Sequence, residues 1–201
     1  MPDRLAPDSA GIATAAELLR GGSLVAFPTD TVYGIGCRIG DPDALARLFA
    51  AKRRPVEKAV AWLVASPAEP TALGYRTDAR ADRLAARFWP GALTLVLPAN
   101  GGSATQAFRV PDHEIALALL AAAGALAVSS ANRSNEPETL DADDVAVAFA
   151  DSEEPSAIVD GGRVAGGVAS SVVDLSGPRA RLLREGALSR AELESVIGPI
   201  D

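Results

Sequence analysis

Two hydrophobic patterns alternate along the chain, one with the period of a helix and one of short apolar runs. The helical pattern marks the ranges 10–20, 42–52, 78–88, 112–123, 145–149 and 190–196. The apolar runs predict strands at 24–27, 59–64, 92–97, 108–110, 126–129, 157–159, 171–175 and 181–183. Because the two kinds of element alternate almost throughout, the sequence predicts an α/β fold.

Composition limits the classes of protein that need to be considered. The 201 residues and the 48% apolar fraction suit one domain spanning 1–201. The net charge of -7 makes a long nucleic acid a poor first choice of partner, because phosphate binding favours a basic face. Cys37 is the one cysteine and His113 the one histidine, which excludes an internal disulfide and leaves little for zinc or a catalytic triad.

The start of the chain and its apolar runs bear on location. Met1 to Arg4 leads into a polar segment, so we expect no signal peptide. The sequence contains no apolar run long enough to cross a membrane. We therefore expect a cytoplasmic protein without a membrane partner.

Polar side chains collect in the loop after the first predicted strand. Pro28 cannot donate to a sheet, so the strand should end there. The loop that follows carries Thr29, Asp30, Thr31 and Tyr33, before Gly34 and Gly36 are expected to turn the backbone. An open α/β sheet places its ligand crevice at such strand ends, although an ordinary turn is the alternative interpretation.

A run of cations ends the second predicted helix. Lys52, Arg53 and Arg54 are followed closely by Lys58. One or two cations would be explained as capping of the helix C-terminus. Three in a row favour a polyphosphate ligand, because arginine offers forked contacts and lysine a point charge.

Other polar residues also lie just outside predicted strands. Ser130 and Asn132 follow one strand, where they could cap a turn or bind a nucleotide. Arg109 could neutralise a substrate carboxylate, and Arg184 ends a late strand. His113 is interpreted as a structural histidine with satisfied hydrogen bonds. The position shared by these residues favours one common site.

The order of the motifs carries a resemblance. The chain contains Pro-Thr-Asp-Thr-Val-Tyr-Gly, Lys-x-Arg-Pro, Phe-Trp-Pro-Gly-x-Leu-Thr-Leu, Arg-x-Pro-x-His, Ser-x-Asn and Gly-x-x-Ser-x-Val-Val-Asp, in that order. Over about residues 10–190 it resembles the YrdC-type family of L-threonylcarbamoyladenylate synthases. The resemblance implies a twisted, mostly mixed sheet with flanking helices around a large concave, positively charged cavity.

The resemblance also implies a reaction. L-threonine, bicarbonate or CO2, and ATP would give threonylcarbamoyl-AMP and pyrophosphate, with Mg²⁺ arriving on ATP rather than in a dedicated metal site. A partner transferase would then modify tRNA, and direct tRNA binding by this chain is expected to be weak. Two alternatives stay open: a divergent paralogue that adenylates another carbamate, and an RNA-binding module of the same fold.

Site residues follow from the resemblance position by position. It implies catalytic roles on the nucleotide phosphates for Lys52 and Arg54. The full ATP-binding set would be Lys52, Arg54, Thr105, Ser130, Asn132 and Arg184. Threonine would be held by Thr31, Arg109 and Ser170, with Arg109 on its carboxylate, and Tyr33 and Lys58 would shape the pocket.

The chain departs from the family pattern at several of these motifs. Ala169 stands where a glutamate is common, and Ser171 replaces a threonine. Glu185 stands where a proline is frequent, and Glu138 occupies the position of a serine that helps to bind ATP. These differences question the fine placement of threonine and ATP. The chain also ends too soon after Arg184 for the extra C-terminal domain of some members, so we expect the single-domain form.

Overall fold

The computed structural model describes residues 1–53, 55 and 59–201. Over these residues the helices are α1 (Ser9–Arg20), α2 (Pro42–Ala51), α3 (Glu69–Ala72), α4 (Ala79–Phe88), α5 (Glu114–Ala123), α6 (Ala142–Ala148) and α7 (Arg190–Ile197). The strands are β1 (Asp3–Leu5), β2 (Val25–Phe27), β3 (Gly34–Arg38), β4 (Ala61–Leu63), β5 (Leu93–Pro98), β6 (Thr105–Arg109), β7 (Leu126–Ser130), β8 (Ala157–Val159), β9 (Ser171–Asp174) and β10 (Arg181–Arg184).

The strands form one open, mixed sheet. Its order is β1-β8-β2-β3-β7-β4-β6-β5-β9-β10. Parallel pairs join β4 to β6 and β5 to β9, whereas β3 and β4 both run antiparallel to β7. Strands from the first and last thirds of the chain therefore lie in the same sheet, and the predicted α/β class with a mixed sheet and flanking helices is confirmed.

Local chemistry sets the helix ends. The side chain of Asp41 accepts a hydrogen bond from the backbone N–H of Ala44, and Pro42 takes the first turn of α2. Ser189 and Glu192 form a reciprocal capping box at the start of α7. The helices bury their apolar faces in three clusters, typified by Leu48 and Phe149, by Leu84 and Phe108, and by Leu19 and Leu119.

The prediction that Gly34 and Gly36 turn the backbone is wrong, because both lie in β3 in the middle of the sheet. A Cβ on Gly34 would lie 2.8 Å from Val128 Cγ1, and one on Gly36 would lie 2.9 Å from Val128 Cγ2. The glycines allow β3 to lie against a β-branched residue of β7. The sequence prediction also omitted β1 and α3, which span only three and four residues.

The organisation of residues 1–201 as a single domain stays a prediction. Within the described part of the chain, every helix is too short or too polar to cross a lipid bilayer.

Candidate functional site

A cavity of about 300 Å³ lies against one face of the sheet, where β4, β5, β6 and β7 each contribute residues spaced two apart. Five residues predicted from the sequence line it: Thr31, Arg109, Ser130, Ser170 and Arg184. They come from the loop after β2 and from β6, β7, β10 and the segment before β9. The topology therefore brings together residues that are up to 153 positions apart, the separation of Thr31 from Arg184.

Arg109 is the buried cation of this cavity, with 7% of its surface exposed. It ends β6, and its guanidinium is held on three sides. Nε donates to the carbonyl of Gly91 at 2.9 Å, Nη1 to Thr31 Oγ1 at 2.9 Å and Nη2 to Asp30 Oδ1 at 2.6 Å. Burial lowers the pKa of Arg109, and the Asp30 carboxylate opposes that shift. The result is a fixed cation suited to a ligand carboxylate.

The loop that carries Thr31 is held by its own side chains and by a distant glycine pair. Thr29 Oγ1 donates to the carbonyl of Val32 at 2.6 Å and accepts from the N–H of Thr31 at 3.2 Å. The N–H of Gly167 donates to the Thr31 carbonyl at 2.7 Å. A Cβ on Gly166 would lie only 2.0 Å from that carbonyl oxygen, so this close contact requires glycine.

Ser170 and Arg184 form a second polar group in the cavity. Ser170 Oγ lies 2.8 Å from Thr94 Oγ1. Arg184 donates from Nε to the Ser170 carbonyl at 2.9 Å and from Nη2 to Ser170 Oγ at 3.2 Å. Burial lowers the pKa of Arg184, whereas the charge of Glu138 raises it. The hydroxyl and the guanidinium are thus held together toward the same space.

Lys52 stabilises the turn after β7. Its side chain is 1% exposed, and Nζ donates to the backbone carbonyls of Ser130 and Asn132. Ser130 Oγ donates to Asn132 Oδ1 at 2.6 Å, and Asn132 Nδ2 donates to the carbonyl of Glu136 at 2.6 Å. Among the described residues of this turn, Ser130 lines the cavity and the side chain of Asn132 is used inside the turn.

Thr105 and Tyr33 are not among the described lining residues, although Thr105 shares its face of β6 with the lining residue Ala107. Thr105 is exposed at the start of β6, four residues and roughly 13 Å from Arg109 at the other end. The Tyr33 hydroxyl donates to the carbonyl of Gly162 at 2.8 Å and accepts from the N–H of Gly161 at 3.1 Å. Burial raises the pKa of Tyr33 to about 12. Tyr33 therefore fixes the glycine loop rather than the described cavity wall.

The cation run is only partly described. Arg53 Nη2 donates to Asp151 Oδ2 at 2.8 Å, and its side chain is 65% exposed. Lys52 and Arg53 therefore do not point together, since Lys52 is buried and Arg53 lies on the surface. The predictions for Arg54 and Lys58 lie outside the described residues.

The departures from the family pattern divide into two groups. Ser171 Oγ donates to the carbonyl of Leu188 at 2.6 Å and accepts from two backbone N–H groups, so it supports the turn after β10. Glu185 accepts from the N–H of Arg190 at the start of α7. Only Ala169 and Glu138 line the cavity.

Asp30 and Thr94 are polar residues of the site that received no role from the sequence. Asp30 pairs with Arg109, and Thr94 contacts Ser170. Both residues lie inside the family motifs given above, and these motifs were the sequence signal that could have identified them.

Within the described part of the chain, His113 Nδ1 is buried without a hydrogen-bond partner, so the imidazole is not satisfied as expected. Burial lowers its pKa, which favours the neutral form.

The cavity's described lining carries two guanidinium groups and one carboxylate, that of Glu138. Among the described residues, no three His, Cys, Asp or Glu side chains are grouped as they would be around a metal ion. The arrangement can neutralise anionic groups and donate hydrogen bonds through Thr31, Ser130 and Ser170.

Fold and cavity together define an α/β protein whose sheet carries a cavity lined by two guanidinium groups and several hydroxyls. Residues 17–186 match the Sua5/YciO/YrdC family model, which carries the description "telomere recombination". The chain belongs to this family.

Several relatives are similar over nearly the whole chain. The threonylcarbamoyl-AMP synthase of Pyrococcus abyssi is 43% identical over 94% of this chain and 58% of the relative. That of Bacillus subtilis is 38% identical over 98% of this chain and 60% of the relative. The crystal structure of P. abyssi Sua5 complexed with L-threonine superposes with a TM-score of 0.91, at 39% identity, covering 100% of this chain and 62% of that one. The chain thus spans about three fifths of these relatives.

Proposed function

We propose that the chain catalyses formation of L-threonylcarbamoyl-AMP from L-threonine, bicarbonate or CO2, and ATP, with release of pyrophosphate. One observation carries this proposal. The cavity groups Arg109 and Thr31 with Ser170 and Arg184, in a chain 39% identical to a Sua5 protein that has been crystallised with L-threonine.

The chemistry asks the protein for positioning and charge neutralisation. The neutral amine of threonine adds to CO2 and loses a proton, giving a carbamate. A carbamate oxygen then attacks the α-phosphorus of ATP, the bond from that phosphorus to the β-phosphate bridging oxygen breaks, and pyrophosphate leaves. Neither step needs a protein nucleophile, so fixed cations and hydroxyls are the groups that matter.

The threonine end of the cavity is assigned to Arg109, Thr31 and Ser170. The guanidinium of Arg109 uses three of its five N–H donors on protein groups, which leaves donors for the amino-acid carboxylate. The hydroxyls of Thr31 and Ser170 are held within the same cavity and can bond to the remaining polar groups of threonine.

The nucleotide end is assigned to Ser130 and Arg184, supported by Lys52 and Asn132. Arg184 offers a forked cation to the phosphates. Lys52 holds the carbonyls of the turn that presents Ser130, and its contact with phosphate is part of the proposal. The roles of Arg54, Lys58, Thr105 and Tyr33 stay predictions.

Mg²⁺ fits this site as a companion of the nucleotide. It prefers phosphate and water oxygens, and it would screen the charge of the triphosphate. The described lining offers it a single carboxylate, that of Glu138. We further propose a cytoplasmic location and a separate transferase that uses the product to modify tRNA.

The test is a pyrophosphate-release assay with ATP, Mg²⁺, bicarbonate and L-threonine. We expect release that requires both threonine and bicarbonate, with L-serine and no amino acid as controls. Release with serine but not threonine would favour a paralogue that adenylates another carbamate. Salt-sensitive RNA binding without any turnover would favour an RNA-binding module.

A further inference from the structure

Glu138 is the one carboxylate among the described residues that line the cavity. It lies in the segment between β7 and α6, close to the turn that presents Ser130. The bond from Asn132 Nδ2 to the carbonyl of Glu136 holds this segment against the turn. The N–H of Tyr33 also donates to the carbonyl of Thr139, at 2.9 Å, so the backbone beside Glu138 is anchored on both sides.

The carboxylate of Glu138 has unused hydrogen-bonding capacity. Among the described residues, its Oε2 atom is buried without a hydrogen-bond partner. A buried oxygen of this kind costs free energy unless a ligand or water supplies a donor. Ser171, by contrast, has three backbone partners, so it has no comparable need of a ligand.

The sign of the charge restricts what Glu138 can contact. An ionised carboxylate only accepts hydrogen bonds, and it repels phosphate oxygens. Glu138 and Arg184 line the same cavity, and the Glu138 charge raises the pKa of Arg184, so Glu138 lies on the side of the cavity that we assign to the nucleotide. The uncharged donors next to the α-phosphate of a nucleotide are the hydroxyls of its ribose. A carboxylate on ribose hydroxyls is also the solution used by dinucleotide-binding folds.

We propose that Glu138 accepts a hydrogen bond from a ribose hydroxyl of the bound nucleotide and makes the site selective for ribonucleotides. This inference rests on the proposed function, because it assumes that a nucleotide occupies the Ser130 side of the cavity. It adds a specificity-determining contact that depends on this chain having glutamate at position 138.

The experiment measures equilibrium binding of ATP, 2′-deoxy-ATP and 3′-deoxy-ATP to the wild-type chain and to Glu138→Ala and Glu138→Gln. A hydroxyl bonded to an ionised acceptor should favour ATP over at least one deoxy analogue by about tenfold. We expect that ratio to fall to about threefold or less in Glu138→Ala. Glu136→Gln is the matched control, since it removes the same charge from an exposed side chain two residues away.

Each other outcome overturns the inference in a distinguishable way. A ratio unchanged in Glu138→Ala, with ATP still bound, would refute the ribose contact and leave the proposed function standing. Loss of ATP binding only in the presence of Mg²⁺ would make Glu138 a metal ligand instead. Selectivity against purine riboside triphosphate, rather than against the deoxy analogues, would place the carboxylate on the base. Failure of the wild-type chain to bind ATP would reject both proposals.

Discussion

Replacement of Asp30 by asparagine tests how strongly the buried ion pair holds the site. The side chains of Arg109 and Asp30 are 8% and 16% exposed, and their closest atoms are 2.6 Å apart. Removing one partner of a buried pair costs about 3–5 kcal/mol. Asparagine still offers an acceptor to Arg109 and to the N–H of Asp112, which recovers about 1 kcal/mol. We expect Asp30→Asn to lower the free energy of unfolding by about 2–4 kcal/mol.

A double-mutant cycle separates this pair from general damage. Arg109→Met keeps an apolar stem in place of the cation, so Asp30→Asn should cost much less in that background. The coupling free energy should be about 2 kcal/mol, measured by urea denaturation with an unchanged m value. Asp112→Asn makes the same charge change at an exposed neighbour and should stay within about 0.5 kcal/mol of wild type. Additive single and double variants would refute the reasoning.

Three further predictions concern the groups around the cavity. Lys52→Ala should slow threonine-dependent pyrophosphate release at least about tenfold, and it should lower stability because two backbone carbonyls lose their donor. Arg53→Ala should do neither, and a rate for Lys52→Ala within about twofold of wild type would contradict this. Gly166→Ala should displace Thr31 and weaken threonine binding, because the added Cβ would meet the Thr31 carbonyl oxygen at 2.0 Å. Gly102→Ala is the control, since its added Cβ would lie 3.9 Å from the backbone nitrogen of Ala104. Stability should fall as pH rises from 10 through about 12, because the folded state keeps Tyr33 protonated above its ordinary pKa of 10.0. Chemical denaturation of wild type and Tyr33→Phe across that range isolates this contribution from Cys37, whose burial raises its pKa to about 11; equal slopes in both proteins would be inconsistent with it.

Local chemistry made part of the fold predictable. Asp41-Pro42 marks the start of α2 because a capping side chain and a proline act on adjacent residues. Strand β8 was predicted with its observed bounds, since Ala157, Ile158 and Val159 form a short apolar run that is fully enclosed. Strand β3 was missed because the need for Gly34 and Gly36 arises from Val128, about 90 residues further along the chain.

In the site, too, features set by nearby residues could be predicted, and contacts between distant residues could not. Arg109, Ser130 and Arg184 could be found because each ends an apolar run. The expectation that strand ends share one edge holds for Arg109 and Arg184, whereas Ser130 ends β7, which runs antiparallel to β4 and therefore to β6. The hydrogen-bond partners of Lys52 could not be predicted, because they are backbone carbonyls 78 and 80 residues away. Every residue has a backbone carbonyl, so the sequence does not distinguish these two. The pairing of Asp30 with Arg109 likewise joins positions 79 residues apart, on a loop and a strand that three other strands separate in the sheet order.

The strand order has a consequence for how the molecule acquires its activity. Arg109 lies on β6, but the hydroxyl of Ser170 and the guanidinium of Arg184 reach the cavity only when β9 pairs with β5 and β10 with β9. A nascent chain therefore has no complete cavity until residue 184 has left the ribosome and these last strands have docked. Ligand binding and the last steps of folding are thermodynamically linked. Above the dissociation constant, each tenfold rise in ligand concentration should therefore add about 1.4 kcal/mol to the stability of the whole sheet.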